Sequence, residues 1–245
     1  MQNFNVLFIF EKKYDLVLDK INKSFGVLFL LILFIEVISN NSEDFSRLHT
    51  VAMPLLLAYL FLFFYLRRHG TSKTSKILLF SALGCAFTGD ILLSKELTIF
   101  DSENSLGYIC HALAHALLVI LFYNGRNKKN NGYQFLLPLV IIAGLIMFFN
   151  YKYQYEETYN LFSFVQLVLI LTMIYFSFLR KNNVPKESYK FILIGSVLLF
   201  ISFIFVNFQP SLQFEAHDFI MIPYATAFLC FVIGIIKDKQ TSFNY

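Results

Sequence analysis

Charge is the first scarcity in this chain. Only 15% of its 245 residues are Asp, Glu, Lys or Arg, whereas 57% are hydrophobic. That leaves too few charges for the surface of an ordinary soluble domain. Tryptophan is absent, so any aromatic belt at a membrane interface must be built from the 14 Tyr and 31 Phe. The three cysteines, Cys85, Cys110 and Cys230, all sit inside apolar runs. They offer neither a disulfide framework nor a CxxC metal knuckle and read as small core residues. No Gly-, Pro- or Ser-rich linker divides the chain. There is no Gly-x-Ser-x-Gly elbow, His-Glu-x-x-His helix, Walker loop or dinucleotide glycine motif, which disfavours those enzyme classes. A net charge of +4 is too small to imply nucleic acid.

What the chain has is long apolar runs, with a mean hydropathy of +0.62. Runs of this length are the signature of membrane helices. We expect an all-α polytopic bundle with eight spans, at about 24–39, 49–66, 75–94, 105–123, 133–149, 159–179, 189–208 and 219–236. Residues 1–23 then form a cytoplasmic or interfacial lead-in rather than a cleaved signal peptide. Residues 24–236 form the transmembrane domain, and 237–245 a cytoplasmic tail. With both termini inside, 17 of the 20 Lys and Arg fall in cytoplasmic segments. Only Arg47, Lys95 and Lys152 fall outside, as the positive-inside rule requires. The short loops predict antiparallel neighbours in one bundle. A plasma membrane or bacterial inner membrane is the expected location.

Orientation also aligns the polar residues within these runs. Asp90 comes late in an outward span, and His111 and His115 come early in the inward span that follows. Gln166, Ser202, Tyr224, Glu36 and Asn207 fall in the same outer half. Ionisable side chains inside a membrane are costly and are functional candidates by default. A common depth is what a polar cavity requires. Glu36 and Asn207 read instead as residues approaching helix ends, where water begins.

His111 and His115 are spaced i,i+4 and share a helix face. Facing Asp90, they allow three chemistries. Asp90 can orient an imidazole for general acid–base work. The trio can form a metal site of two His and one carboxylate, or the groups can relay protons.

Several of these residues resemble the YhhN-like family of eight-helix membrane proteins, which includes lysoplasmalogenases. The similarity rests on Gly89-Asp90-Ile91-Leu92-Leu93, on the spacing from Gly107 to His115, and on Pro54. It extends to Gly195, Leu199, Phe200 and Ser202 in the seventh span, and to Tyr224 and Ala227 in the eighth. The resemblance implies hydrolysis of the vinyl-ether bond of a lysoplasmalogen lipid, giving a fatty aldehyde and a glycerophospho-headgroup, with no cofactor. It implies Asp90 as general acid or charge stabiliser and His115 as partner to the attacking water. Tyr224, Ser202 and Gln166 would orient the substrate, and His111 would join the catalytic group.

The chain also departs from the family pattern. Met53 stands where the family has Lys, Phe203 where it has Asp, and Phe228 where it has Gln. His111 occupies a position usually apolar. These changes keep a second expectation alive, a non-catalytic lipid-binding or structural relative. A proton-coupled transporter ranks last, because Pro54, Pro138 and Pro223 do not break helices in matched halves. The oligomeric state is not legible.

Overall fold

Hydropathy dictates helices here, since a backbone in hydrocarbon must satisfy its own hydrogen bonds. In a computed structural model, the described residues are 24–39, 46–93, 102–129, 140, 142–144, 157–208 and 217–238. Among them the regular elements are all helical. These are α1 (Ser24–Ser39), α2 (Ser46–Arg67), α3 (Lys73–Leu93), α4 (Ser102–Asn124), α5 (Glu157–Leu179), α6 (Lys186–Phe208) and α7 (His217–Lys237). Most of the expected fifth span, 133–149, lies outside the described residues. Val140 and 142–144 are helical, and Ile142 and Ala143 pack against the core.

Among the described residues, five helices are long and apolar enough to cross a membrane: Lys73–Leu93, Leu106–Asn124, Leu161–Leu179, Lys186–Asn207 and Asp218–Lys237. Two shorter apolar helices, Ser24–Ser39 and Val51–Arg67, accompany them. At ~1.5 Å per residue the long ones match ~30 Å of hydrocarbon. Large apolar side chains such as Val27, Phe34, Leu62, Leu113, Leu161 and Ile194 are exposed around the bundle. So wide an apolar surface suits lipid rather than water.

Six helices close a ring. Each of α2 to α7 packs on the next, and α7 returns to α2. The tightest neighbours are α3 with α4 and α6 with α7. Outside the ring α1 runs antiparallel to α2, its Phe25 stacked on Tyr59 and Phe63. The C-terminal ends of α4 and α5 lie together, because the Asn127 N–H donates to the Leu179 carbonyl at 2.8 Å. The Asn183 side chain also donates to the Gly125 carbonyl at 3.1 Å. These neighbours are therefore parallel.

Two pairs of glycines set the closest approaches. A Cβ on Gly89 would meet His111 at 2.8 Å, and one on Gly107 would meet Leu93 at 2.7 Å. In the other pair, Gly195 faces Phe231 at 2.7 Å and the Ala227 carbonyl at 2.9 Å, and Gly234 faces Ile192 at 2.6 Å. Small residues let membrane helices approach until backbones nearly touch. A hydroxyl pair, Ser177 with Ser196 at 2.6 Å, joins α5 to α6. The buried core is a spine of Leu, Ala and Phe, including Leu60, Phe64, Leu79, Ala114, Leu118, Phe122, Phe228 and Phe231.

Cations gather where α2, α4, α5 and α7 end and α3 and α6 begin. They include Arg67, Arg68, Lys73, Lys76, Arg126, Arg180, Lys181, Lys186, Lys190 and Lys237. At this end Gly70 supplies a positive φ of 80° for the α2–α3 turn, and Asn182 closes α5 at a φ of 66°. Asparagine is among the few non-glycine residues that tolerate that region. Lys237 and Glu187 pair between α7 and α6.

Substitution at the tight crossing should separate packing from propensity. Gly195→Leu is expected to cost about 1–3 kcal/mol through overpacking. Gly84→Ala, with nothing within 4 Å of the new Cβ, should be neutral or stabilising by up to about 1 kcal/mol. Thermal midpoints in neutral detergent measure both.

Candidate functional site

The Gly89–Gly107 crossing decides where the polar groups meet. It brings the last turns of α3 against the first turns of α4, so Asp90 lies opposite His111. The Asp90 side chain is fully buried. Its Oδ1 stands 3.2 Å from His111 Nε2. From α7, the Tyr224 hydroxyl donates to Asp90 Oδ1 at 3.0 Å, with Oδ2 at 3.3 Å. Tyr224 also meets the His111 ring edge-on, with centroids 6.1 Å apart. Three helices thus converge on one carboxyl group, the compensation that a buried ionisable group requires.

These residues form one wall of a cavity of about 140 Å³. Every helix of the ring contributes to it. Met53 comes from α2, Asp90 and Leu93 from α3, and Tyr108, His111 and His115 from α4. Gln166 and Ile170 come from α5, Ser202 and Phe203 from α6, and Met221 and Tyr224 from α7. The wall is mainly apolar, with the polar groups clustered. All six residues singled out in the sequence, Asp90, His111, His115, Gln166, Ser202 and Tyr224, are brought to this cavity.

Their situations differ. His115 is buried at 4% exposure, and neither ring nitrogen has a hydrogen-bond partner. Its ring lies 6.4 Å from that of His111. Ser202 donates to the Ile220 carbonyl at 2.8 Å, in the turn preceding Pro223, and so fastens α6 to α7. Among the described residues no group of three or more His, Cys, Asp or Glu is arranged to hold a metal ion.

Two residues read as helix-end positions prove to be interior. Glu36 on α1 is fully buried, close enough to Asp90 for their charges to interact. Asn207 is 1% exposed and donates back to the Phe203 carbonyl of its own helix at 2.9 Å. Water does not reach these positions, because neighbouring helices cover the ends. Tyr108 was missed in the sequence, although residues 108, 111 and 115 form a stripe at helical spacing. It stacks on Phe162 with centroids 5.6 Å apart.

The three departures cluster at the same place. Met53 and Phe203 line the cavity, and Phe228 packs on the Tyr224 ring at 5.0 Å.

Removing the Tyr224 hydroxyl leaves Asp90 with one fewer donor while the ring stays in place. Tyr224→Phe should lower stability by about 1–3 kcal/mol. In a double-mutant cycle with His111→Ala, the two effects should be non-additive, since both act on Asp90. Chemical denaturation in mixed micelles measures the cycle, and strict additivity would refute the shared role.

Comparison with known proteins gives one family. Neither the curated proteins nor the solved structures compared with the chain include a significant match. A model of the YhhN family matches residues 24–235, a stretch that contains every residue lining the cavity. The chain belongs to the YhhN family.

Proposed function

We propose that this protein is a membrane hydrolase of the lysoplasmalogenase type, cleaving the vinyl-ether bond of a lysoplasmalogen. The observation that carries this reading is Asp90, buried and clamped by His111 and Tyr224 on the wall of an apolar cavity that also holds the unbonded His115 ring. A vinyl ether needs a proton on its distal alkenyl carbon, then water at the oxocarbenium carbon beside oxygen. Both needs are met by groups on this wall.

The steps balance as follows. Tyr224 and His111 both lie nearest Asp90 Oδ1, and Tyr224 also reaches Oδ2 at 3.3 Å, the oxygen that carries the acidic proton in this scheme. Asp90 protonates the alkenyl carbon, and its carboxylate then faces the oxocarbenium ion and stabilises it. Water adds to that ion as His115 takes its proton. His115 returns this proton to the departing glycerol oxygen while the hemiacetal hydroxyl restores the proton of Asp90. Aldehyde and glycerophospho-headgroup leave, and both residues regain their starting states. Gln166 and Ser202 line the path and orient the lipid. No metal or organic cofactor enters the scheme.

The same reading places eight spans in the membrane with both termini cytoplasmic, in a plasma or bacterial inner membrane. The parallel α4 and α5 support a further crossing between them, and the gathered cations support a cytoplasmic assignment for that end. Reporter fusions near Lys128 should therefore report a cytoplasmic site, and fusions near Gln213 an external one. The opposite pattern would reverse the topology.

One observation favours the alternative of a non-catalytic lipid-binding relative. Phe203 occupies the cavity wall where the family pattern has a second carboxylate. Aldehyde release from lysoplasmalogen by purified protein decides between the readings. Asp90→Asn and His115→Ala should each reduce release by about 100-fold or more in folded protein, and chelator should leave it unchanged. No release above a membrane blank, from folded wild-type protein, would favour the scaffold.

A further inference from the structure

A second cavity lies at the cationic end of the bundle. Its volume is about 480 Å³, and its wall is more polar than apolar. It is lined by Ser72, Thr74 and Ser75 around the start of α3, by Asn124 and Gly125 at the end of α4, and by Arg180 and Asp238. Ser75 and Asp90 are fifteen residues apart on α3, about 22 Å along the helix at ~1.5 Å per residue. The two cavities are therefore separate.

Arg180 is the feature that calls for a ligand. It is 1% exposed, the largest fully buried side chain among the described residues. A guanidinium carries five N–H donors. Here Nη2 donates to Asp238 Oδ2 at 2.9 Å, and the buried Nε has no partner. Burial draws the Arg180 pKa down, and Asp238 opposes that fall. Gly125 makes the room, because a Cβ there would collide with Nη1. A buried cation held by one carboxylate and the face of the Phe122 ring, with Nε unpartnered in a residue that lines a polar cavity, is an incompletely compensated charge.

The surroundings select an anion. Lys73, Lys76, Arg126 and Lys181 each adjoin a lining residue in the chain, and their summed field draws anions toward the cavity. The α3 N-terminus adds its dipole and hydroxyls. Ser72 already caps this end, its Oγ accepting from the Ser75 N–H at 3.1 Å. The planar fork of arginine matches two oxygens of a phosphoryl group. We propose that this cavity binds a phosphate-bearing anion, with Arg180 as the fork and the Ser72–Ser75 turn as its polar wall. The phosphate belongs either to a lipid headgroup or to a free anion. Asp238 holds Nη2 of the guanidinium and its charge opposes the anion. The site is independent of the hydrolase reading.

Full-length protein in neutral maltoside is titrated with inorganic phosphate, or with phosphatidic acid in mixed micelles. Sodium chloride at matched ionic strength is the control, and the readout is the thermal midpoint. A saturable rise with either phosphate source supports the site. A rise with phosphatidic acid alone assigns a headgroup, and a rise with inorganic phosphate assigns a free anion. Arg180→Gln should abolish the response. Since that variant also loses the clasp to Asp238, Asp238→Asn is the decisive one. It retains the fork, removes the repulsion, and should saturate at a phosphate concentration at least about threefold lower. Wild-type protein with no saturable response, an equal response to chloride, or an Asp238→Asn variant that binds no tighter would overturn the proposal.

Discussion

The close passage of α3 over α4 is the constraint on which the upper part of the bundle depends. Gly89 and Gly107 remove the side chains that would hold the helices apart, and the space gained is taken by the His111 ring and Leu93. Only then can His111 reach Asp90, and only a carboxyl group so partnered can be kept inside an apolar ring. Tyr224 completes the arrangement from α7, so the carboxyl group links both ends of the ring's sequence. The energetic logic runs from backbone proximity to charge compensation. The chemistry is a consequence of the packing.

The second tight crossing, of α6 over α7, places Ser202 against the Ile220 carbonyl and holds Phe203 and Tyr224 on the cavity wall. Two glycine-lined crossings thus frame one apolar chamber, and α2 and α5 close its sides. The chamber is mainly apolar, with Asp90, His111 and Tyr224 together on its wall. Bulk water would dilute the electrostatic leverage of Asp90, whereas an apolar wall preserves it.

Much of this was legible in the sequence, and the reasons are physical. Apolar runs reveal helices because hydrocarbon forbids unsatisfied backbone, so α1 to α7 fall close to their expected limits. Asp90, His111 and His115 stood out because polar groups are rare inside such runs. Glu36 and Arg180 did not, because each lies near a helix end, where position along one helix says nothing about cover from another. Arg180 counted as an ordinary cytoplasmic cation. The space for it comes from Gly125, distant in sequence, and no periodicity records that. The fifth span was expected from hydropathy and from the alternation of Lys and Arg between the loops, and most of it lies outside the described residues.

The closed ring has a consequence for biogenesis. The α3–α4 hairpin carries its own first clasp, Asp90 with His111, so the carboxyl group has a partner as soon as those two helices are in the bilayer. Tyr224 arrives only with the last helix, and the ring shuts only when that helix meets α2. The chamber therefore does not exist during most of synthesis. A chain that lacked α7 would hold this acid with His111 but without the Tyr224 hydroxyl.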